Sequence, residues 1–420
     1  MKLLVIGLGS MGKRRIRLLK EYDSSIEIIG IDKQAIRRDE VEKLYKIKTC
    51  DNMDEINFSE INGVLLCSSP LTHTKLILEL NLKGIYNIFT ELNLNSNFYD
   101  QIINMEEENK GILFLSSTLL YRKEIQYIKN ILLLDKAKKT YNYHVGQYLQ
   151  DWHPWENYND FFIGKKETNG CREIMAIEFP WIVDVFGEIE SFYCLKDKIT
   201  DLNIDYNDNY HIILKHKNGT IGSLQFDVVS REATTSLEII SENNHIKWNG
   251  TPEGFKVFDL NDKKMKDVGT YEKIDRKEGY SQLIIEDMYL EEISTFINSV
   301  KENRNYSKYF KEDYDFEDFC DGVKHFVAHN ISFDSQFLNI PYMKKFCTMN
   351  ENIENLKIEG KYGNYKWPKL NETAKYYGIE VDELSTHRSD YDTYLCKEIF
   401  VKMLKDNNYN SKILEFLSVE

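Results

Sequence analysis

The first 19 residues, Met1–Leu19 with the sequence MKLLVIGLGSMGKRRIRLL, decide the fold of the N-terminal part of the chain. An apolar segment, a glycine-rich turn and a segment with helical spacing follow one another in this stretch. Gly7, Gly9 and Gly12 satisfy the pattern G-x-G-x-x-G in that context. The first glycine permits a tight turn, the second lets backbone approach a pyrophosphate, and the third allows close helix–strand packing. The stretch therefore predicts a parallel sheet that binds a dinucleotide.

The start of this helix and the end of the next strand define the expected cofactor. The amides of Ser10 and Met11 are expected to face the charge of a diphosphate. The second apolar segment, IEIIGID, ends at Asp32, about 20 residues past the glycines, where a carboxylate accepts from ribose hydroxyls. Because an acid repels a 2′-phosphate, the sequence predicts NAD as the cofactor, and the adjacent Lys33 leaves NADP open.

Composition limits the function classes. The chain has 420 residues, enough for two or three domains, and no apolar run of about 18 residues that would span a membrane. We see no signal peptide pattern at the N-terminus. The seven scattered cysteines indicate reduced thiols, so a cytoplasmic location is expected. The net charge of -14 disfavours nucleic acid as a partner.

Residues 63–94, GVLLCSSPLTHTKLILELNLKGIYNIFTELNL, give a more specific signal. Their order of strand, loop, helix, glycine and strand resembles the Gfo/Idh/MocA oxidoreductase family, and the resemblance covers residues 1 to about 305. It implies that Ser69, Pro70, Thr72 and His73 lie along the nicotinamide half of the cofactor. The family usually closes the next strand with Glu-Lys-Pro, whose lysine assists proton transfer. Here the residues are Glu91-Leu92-Asn93, so no lysine can be carried over. The residues expected to bind cofactor are Gly7, Gly9, Ser10, Met11, Gly12, Asp32, Ser69, Pro70, Thr72, His73 and Glu91.

The middle of the chain alternates apolar and polar residues with Asn-Gly turns. Strand-like segments are predicted at 139–149, 172–179, 210–230, 235–250 and 254–261. They suit an open antiparallel sheet with one covered face, which is the second domain that the resemblance implies. The expected fold class is α/β, with a Rossmann sheet, an α+β domain and a partial RNase H-like segment. The expected domains are residues 1–120, 121–305 and 313–420.

The candidates for catalysis come from the middle of the chain. The histidine that the family commonly provides before Phe-Gly falls at Ile177, so it is missing. A group that takes a hydroxyl proton is still needed, and His153 and Glu178 are the candidates. For each of them, a purely structural role is an equally good interpretation. Tyr121, Arg122 and Gln147 are expected to contact substrate. The aromatic and polar run HVGQYLQDWHPWE, residues 144–156, is typical of a sugar-binding loop.

The C-terminal quarter resembles a second family. The segment FVAHNISFDSQFL, residues 326–338, is similar to the second motif of DEDDh 3′-to-5′ exonucleases, with Asp334 as its aspartate. His387 and Asp392 match the third motif. The Asp-x-Glu pair of the first motif is missing at the distance that the fold needs, so the four carboxylates for two metal ions are not present. We therefore expect a remnant or a fusion without a metal site and without nuclease activity.

These observations favour an NAD(P)-dependent oxidoreductase that acts on a sugar or a nucleotide-sugar-like molecule, with a role in surface-glycan biosynthesis as the finer hypothesis. A metal-dependent exonuclease and an NAD-binding sensor or scaffold are the alternatives. A small sugar-like substrate and a homo-oligomer are the expected partners.

Overall fold

The computed structural model describes residues 1–94, 97–99, 101–102, 111–152, 157–160, 162–274, 276, 282–303, 325–330, 344–360, 364–382, 389–406 and 409–417. The chain divides into two compact units, Met1–Phe316 and Glu317–Glu420. Each unit is described by itself.

The first unit begins with a six-stranded sheet whose strands are all parallel, in the order β3-β2-β1-β4-β5-β6. This arrangement confirms the predicted Rossmann sheet. Its strands are β1 Lys2–Ile6, β2 Glu27–Ile31, β3 Lys48–Cys50, β4 Gly63–Leu66, β5 Ile88–Thr90 and β6 Leu113–Leu115, and its helices are α1 Ser10–Tyr22, α2 Ala35–Tyr45 and α3 His73–Leu82. The order reverses beside β1, and ligands of such sheets bind in the crevice at the carboxyl ends of the strands at that point.

Burial on both faces explains why the strands of this sheet read as continuous apolar runs. Leu3, Leu4 and Val5 of β1 are completely buried. One face is covered in part by α6, Glu286–Glu302, which returns from the far end of the unit. Phe296 of this helix meets Phe89 and Phe114 edge-on, with ring centroids 5.5 and 5.8 Å away. The amphipathic helix therefore belongs to the core of the nucleotide-binding sheet.

The second sheet of this unit has eight strands in the order β14-β13-β12-β11-β7-β10-β9-β8. It is mixed, because β7 and β10 pair in parallel while the other neighbours are antiparallel. Its strands are β7 Lys139–Gly146, β8 Ile189–Asp197, β9 Asn209–His216, β10 Ile221–Asp227, β11 Thr234–Ser241, β12 His245–Trp248, β13 Lys256–Asp259 and β14 Lys264–Asp267. The accompanying helices are α4 Lys123–Leu134 and α5 Gly170–Phe186.

One predicted strand is wrong. Residues 172–179 lie inside α5, because the side chain of Asn169 caps the start of this helix. The buried residues of the segment, such as Ile174 and Phe179, follow helical spacing. Tyr141 of β7 stacks on Phe186 of α5 at 3.9 Å between ring centroids, and Tyr143 meets Trp181 edge-on at 5.2 Å. Helix α5 therefore covers one face of the sheet.

The other face of this sheet is open in the described chain. Its exposed apolar side chains come from four strands: Tyr193, Leu195, Ile213, Ile221 and Ile240.

The second unit contains a two-stranded parallel sheet of β15 His325–Ala328 and β16 Lys344–Cys347. Its helices are α7 Thr348–Glu351, α8 Ile353–Leu356, α9 Leu370–Tyr376, α10 Ser389–Leu404 and α11 Asn410–Leu417. Phe346, Leu395, Ile399, Met403 and Ile413 form most of its core. The RNase H-like assignment of this unit stays a prediction.

No helix in the described ranges is both long and apolar enough to cross a membrane.

Candidate active site

In the turn after β1, close packing requires glycine at two of the three positions, whereas the third has room for a side chain. Gly7 has φ +95°, and a Cβ there would lie 2.6 Å from backbone atoms of Cys67 and Ser68. A Cβ on Gly12 would lie 1.9 Å from the carbonyl oxygen of Gly7. At Gly9 the nearest atom would be 3.8 Å away, so the fold itself does not exclude a side chain there. The free space at Gly9, the N-cap of α1, is where a diphosphate is expected.

Asp32 lies at the tip of β2 and is held in a fixed orientation. Its Oδ2 accepts from the amide of Leu8 at 2.9 Å, and its Oδ1 accepts from the amide of Gln34 at 2.9 Å. The guanidinium of Arg37 lies 3.6 Å from Oδ2. The carboxylate therefore links the glycine turn to the β2–α2 turn.

The loop after β4 joins the same edge of the sheet. The hydroxyls of Ser68 and Thr72 are 2.8 Å apart, and Thr72 donates to the carbonyl of Ser69 at 2.7 Å, with Pro70 in the turn between them. His73 is completely buried, and burial lowers the pKa of its imidazole, so the ring is neutral. Its Nε2 lies 3.2 Å from the carbonyl oxygen of Ser68 and donates to it.

Glu91, at the end of β5, is held by an ion pair that the sequence did not predict. Nε of Arg15 on α1 donates to Oε1 of Glu91 at 2.6 Å, and Nη2 donates to Glu292 of α6 at 2.7 Å. Arg15 and Glu292 are completely buried. Burial raises the pKa of Glu292, although Arg15 opposes this. Glu91 is thus held in place by the first helix of the fold.

The two residues after Glu91 replace the lysine and proline of the resemblance. Leu92 is half-buried, and Asn93 is 7% exposed. The side-chain amide of Asn93 is near His73, yet neither residue makes a hydrogen bond of normal geometry to the other. No titrating group replaces the lysine at this position.

Glu178 lies on the inner side of α5. Its Oε2 accepts from the hydroxyl of Tyr143 and from the indole of Trp181, both at 2.7 Å. Burial raises the pKa of Glu178 to about 7. Two donors in the core between helix and sheet hold this carboxyl in place.

Glu173 lies on the opposite, accessible side of the same helix. Four half-buried or exposed residues follow one another at helical spacing on that side: Glu173, Ile177, Pro180 and Asp184. Oε2 of Glu173 is shielded from solvent and has no hydrogen-bond partner among the residues that the structure describes. Burial raises the pKa of the carboxyl to about 8. Sequence reasoning missed this residue as a catalytic candidate, although helical periodicity over 170–186 would have separated it from Glu178.

Helix α5, which carries Glu173, contacts three parts of the unit. The first residue of α5, Gly170, lies against Leu149 and Val228, which follow β7 and β10. Helix α5 also packs against the turn Thr118–Tyr121 that follows β6. Glu173 is thus in the first turn of a helix that contacts the second sheet and the turn after β6.

The expected substrate contacts differ in their surroundings. Tyr121 is half-buried against the core of the first sheet. Arg122 is 2% exposed and donates to the carbonyls of Leu283 and Gly250 at 2.6 and 2.7 Å, so its guanidinium ties segments of the unit together. Gln147 is half-buried next to the turn Leu149–Asp151. His153 lies outside the described residues.

Only Asp392 of the three exonuclease-like positions falls in the described chain, on α10, and Asp334 and His387 lie outside it. Within the described ranges, no group of three or more His, Cys, Asp or Glu side chains could hold a metal ion. His329, from the same motif, bonds to the hydroxyl of Thr348 and the carbonyl of Pro368, both at 3.0 Å.

Comparison with known families agrees with the geometry of the first unit. Residues 1–116 match the family GFO_IDH_MocA, described as "Oxidoreductase family, NAD-binding Rossmann fold". Over these residues the first sheet is similar to the NAD-binding domain of the Gfo/Idh/MocA oxidoreductases.

Two kinds of curated protein are similar to the chain. A myo-inositol 2-dehydrogenase from Thermotoga maritima is 27% identical over 317 residues, which cover 72% of this chain and 88% of that protein. PolC-type DNA polymerases III from Ureaplasma parvum and Bacillus subtilis are 33% and 39% identical over 87 and 85 residues. The chain spans 6% of the length of each polymerase. This partial similarity supports the resemblance to an exonuclease over about a fifth of the chain.

Solved structures share the fold at low identity. A levoglucosan dehydrogenase in complex with NADH has a TM-score of 0.63 and 12% identity, with 75% of this chain and 93% of that chain covered. UDP-N-acetylglucosamine 3-dehydrogenase GnnA from Acidithiobacillus ferrooxidans has a TM-score of 0.56 and 15% identity, with 73% and 90% covered. At these identities the likeness establishes the fold of a Rossmann sheet followed by a mixed sheet.

Proposed function

We propose that the chain is an NAD-dependent dehydrogenase that oxidises a secondary hydroxyl of a sugar or nucleotide sugar, or reduces the corresponding ketone. The cofactor cradle carries the proposal: the open N-cap at Gly9 and the oriented carboxylate of Asp32 lie at the carboxyl ends of adjacent parallel strands. Bound NAD would be the hydride acceptor in the oxidation. The relatives named above are dehydrogenases of myo-inositol, UDP-N-acetylglucosamine and levoglucosan, which supports this class of substrate.

The proton of the hydroxyl needs an acceptor, and we assign this role to Glu173. Its Oε2 has no hydrogen-bond partner within the described ranges, and a pKa raised to about 8 suits a group that exchanges a proton near neutral pH. Leu92 and Ile177 stand where the family resemblance would provide lysine and histidine, so these positions offer no competing base. Glu178 is not assigned to proton transfer because its oxygen already accepts from two buried donors.

A second candidate function is a protein that binds NAD without turnover. The same two residues, Leu92 and Ile177, favour it, since neither can exchange a proton. Nuclease activity is not proposed, because the Asp-x-Glu pair at Asp315 and Glu317 lies too close in sequence to Asp334 to be the first exonuclease motif.

A turnover assay distinguishes a dehydrogenase from a protein that only binds NAD. The full-length chain is incubated with NAD and, in separate reactions, with inositols, free hexoses and UDP-linked amino sugars, and reduced nicotinamide is measured by absorbance. The proposal expects reduction with at least one ring alcohol and its loss in Glu173→Gln. NADH binding without turnover on the whole panel would favour the binding protein.

A further inference from the structure

The parallel strands β7 and β10 of the second sheet end side by side. The carboxylate of Asp227 at the end of β10 is completely buried, and its Oδ2 lies 2.7 Å from Nε2 of His144 on β7. A Cβ on Gly146, the last residue of β7, would lie 2.6 Å from Oδ1 of Asp227, so the two strand ends pack too closely for a side chain there. The loops that follow, residues 147–152 and 228–233, therefore leave the same edge of the sheet next to each other.

These two loops border the first turn of α5. The amide of Leu149 in the first loop donates to the carbonyl of Val228 in the second at 2.9 Å. Both residues also lie against Gly170, the first residue of α5, where a Cβ would be 2.9 Å from Val228 and 3.6 Å from Leu149. Glu173, the proposed proton acceptor, is three residues further along this helix. The two loops are therefore in a position to contact the molecule whose hydroxyl reacts.

An arginine of one loop stacks on a tyrosine of the other. Cζ of Arg231 lies 3.7 Å from the ring centroid of Tyr148, so the guanidinium covers the face of this ring. Tyr148 is 9% exposed, whereas Arg231 is exposed. The five N–H donors of a guanidinium lie in its plane, so the stacking fixes the orientation of the group and leaves these donors free at its edges.

The charge of Arg231 is not neutralised within the described part of the chain. No carboxylate of these residues forms an ion pair with it, although acidic residues outnumber basic ones by 68 to 54. Asp151 and Glu232, the acidic residues of the two loops, are both exposed and are not paired with Arg231. By contrast, Arg15 and Arg276 each pair with a glutamate. An oriented guanidinium without an acidic partner is suited to bind an anion from outside the chain.

We propose that Arg231, held on the ring of Tyr148, binds an anionic group of the substrate, so that the chain prefers a sugar with a carboxylate or a phosphate over a neutral sugar. The planar fork of a guanidinium matches both of these anions through two parallel N–H donors. The inference rests on the proposed function, because it concerns the substrate of that reaction, and it adds the charge of this substrate. Arg231 is a specificity-determining residue in this account, and Glu173 remains the proton acceptor.

The test is a calorimetric titration of the full-length chain, with and without saturating NADH, using D-glucuronate, UDP and D-glucose as probes. D-glucuronate presents a carboxylate, UDP presents a diphosphate, and D-glucose is the uncharged reference. At least one of the two anions is expected to bind about tenfold or more tightly than D-glucose, and the anion that does so identifies the group. Arg231→Gln is expected to weaken this anion about 10- to 100-fold. Arg231→Lys keeps the charge without the fork and should weaken it less.

The matched control is Lys83→Gln. The ammonium of Lys83 lies 5.2 Å from the ring centroid of Phe58, so this variant also removes an exposed cation from the face of an aromatic ring, outside the second sheet. It should leave the affinity for every probe unchanged. Binding of NADH should be the same in all of these variants as in the wild type.

Three results would overturn the inference. The first is that neither anion binds more tightly than D-glucose. The second is that Arg231→Gln leaves the affinity for the anion unchanged or weakens D-glucose equally, which would mean that Arg231 only covers Tyr148. The third is an equal weakening of the anion by Lys83→Gln, which would reduce the effect to general charge. A wild-type chain that does not bind NADH would contradict the proposed dehydrogenase, whereas the titrations without NADH would still decide whether Arg231 binds an anion.

Discussion

Arg15 and Glu91 form an ion pair of 2.6 Å between Nε and Oε1, which ties the first helix of the chain to the end of the fifth strand. The same arginine holds Glu292, 277 residues later in the chain. Glu292 also accepts from the amide of Ser117 at 2.6 Å and from the hydroxyl of Thr118. A single buried cation therefore fixes α1, β5, the segment after β6 and α6 relative to one another.

Removal of this cation is expected to destabilise the first unit strongly. Arg15→Met leaves two carboxylates without their partner, one of them fully buried, which typically costs about 3–5 kcal/mol in the free energy of unfolding. Urea unfolding followed by circular dichroism measures the change. The control is Lys215→Ala, whose exposed pair with Glu190 at 3.0 Å should contribute less than about 1 kcal/mol. An equally small decrease in the free energy of unfolding in both variants would contradict the proposed stabilising role of Arg15.

Asp32 is expected to determine how the adenosine ribose is held. Asp32→Ala removes the acceptor for two ribose hydroxyls and should weaken NAD by about tenfold or more. NADP should lose less, since its 2′ oxygen carries a phosphate that the carboxylate disfavours. Isothermal titration with both coenzymes measures the ratio, and Asp32→Asn, which keeps one acceptor oxygen, is the control for local folding. An equal loss for NAD and NADP in Asp32→Ala would remove the reason for assigning Asp32 to the ribose.

The pH profile of turnover should follow Glu173. The pKa of Glu173 is raised to about 8, so the carboxyl is largely protonated at neutral pH and becomes a proton acceptor only as the pH rises. The rate of alcohol oxidation should therefore increase through about pH 8, and the rate of ketone reduction should decrease over the same range. Glu173→Gln should lower kcat about 10²- to 10⁴-fold and abolish this titration. A variant that keeps both the rate and the profile would exclude Glu173 as the acceptor.

The same raised pKa values predict a dependence of stability on pH. The pKa values of Glu173 and Glu178 are raised by burial from 4.5 to about 8 and about 7. Between pH 4.5 and 8 the folded chain therefore holds protons that the unfolded chain has released, so the free energy of unfolding falls as the pH rises. Urea midpoints measured across this window should decline, and Glu173→Gln should reduce the slope. An unchanged slope in that variant would mean that the carboxyl ionises normally in the folded chain.

Local patterns predicted the cofactor half of the fold better than the second domain. The glycine turn and Asp32 are close in sequence, so their spacing alone predicts that they lie together at the end of the sheet. Residues 172–179 were predicted as a strand because apolar residues nearly alternate there, yet the cap at Asn169 and the stop at Gly187 make them part of a helix. Both end signals were present in the sequence.

Other features depend on contacts that no local pattern contains. The pairing of Arg15 with Glu292 joins residues that are far apart in the chain. The parallel pairing of β7 with β10 inside a mostly antiparallel sheet likewise depends on the path of the chain between them. The different roles of Glu173 and Glu178 follow from which side of α5 faces the sheet, and that side became clear only with Tyr143 and Trp181 in place.

The central claim is that the turn at Gly9 binds the diphosphate of a nicotinamide coenzyme, and calorimetric titration of the full-length chain with NADH tests it most directly. Gly9→Asp should fold, because the Cβ has room and aspartate is a favoured helix N-cap. Its carboxylate should nevertheless weaken NADH by roughly 100-fold or more through repulsion of the diphosphate. Gly269→Asp adds the same charge at an open position and should leave binding unchanged. Saturable NADH binding that survives Gly9→Asp, or no NADH binding by the unaltered chain, would contradict the account.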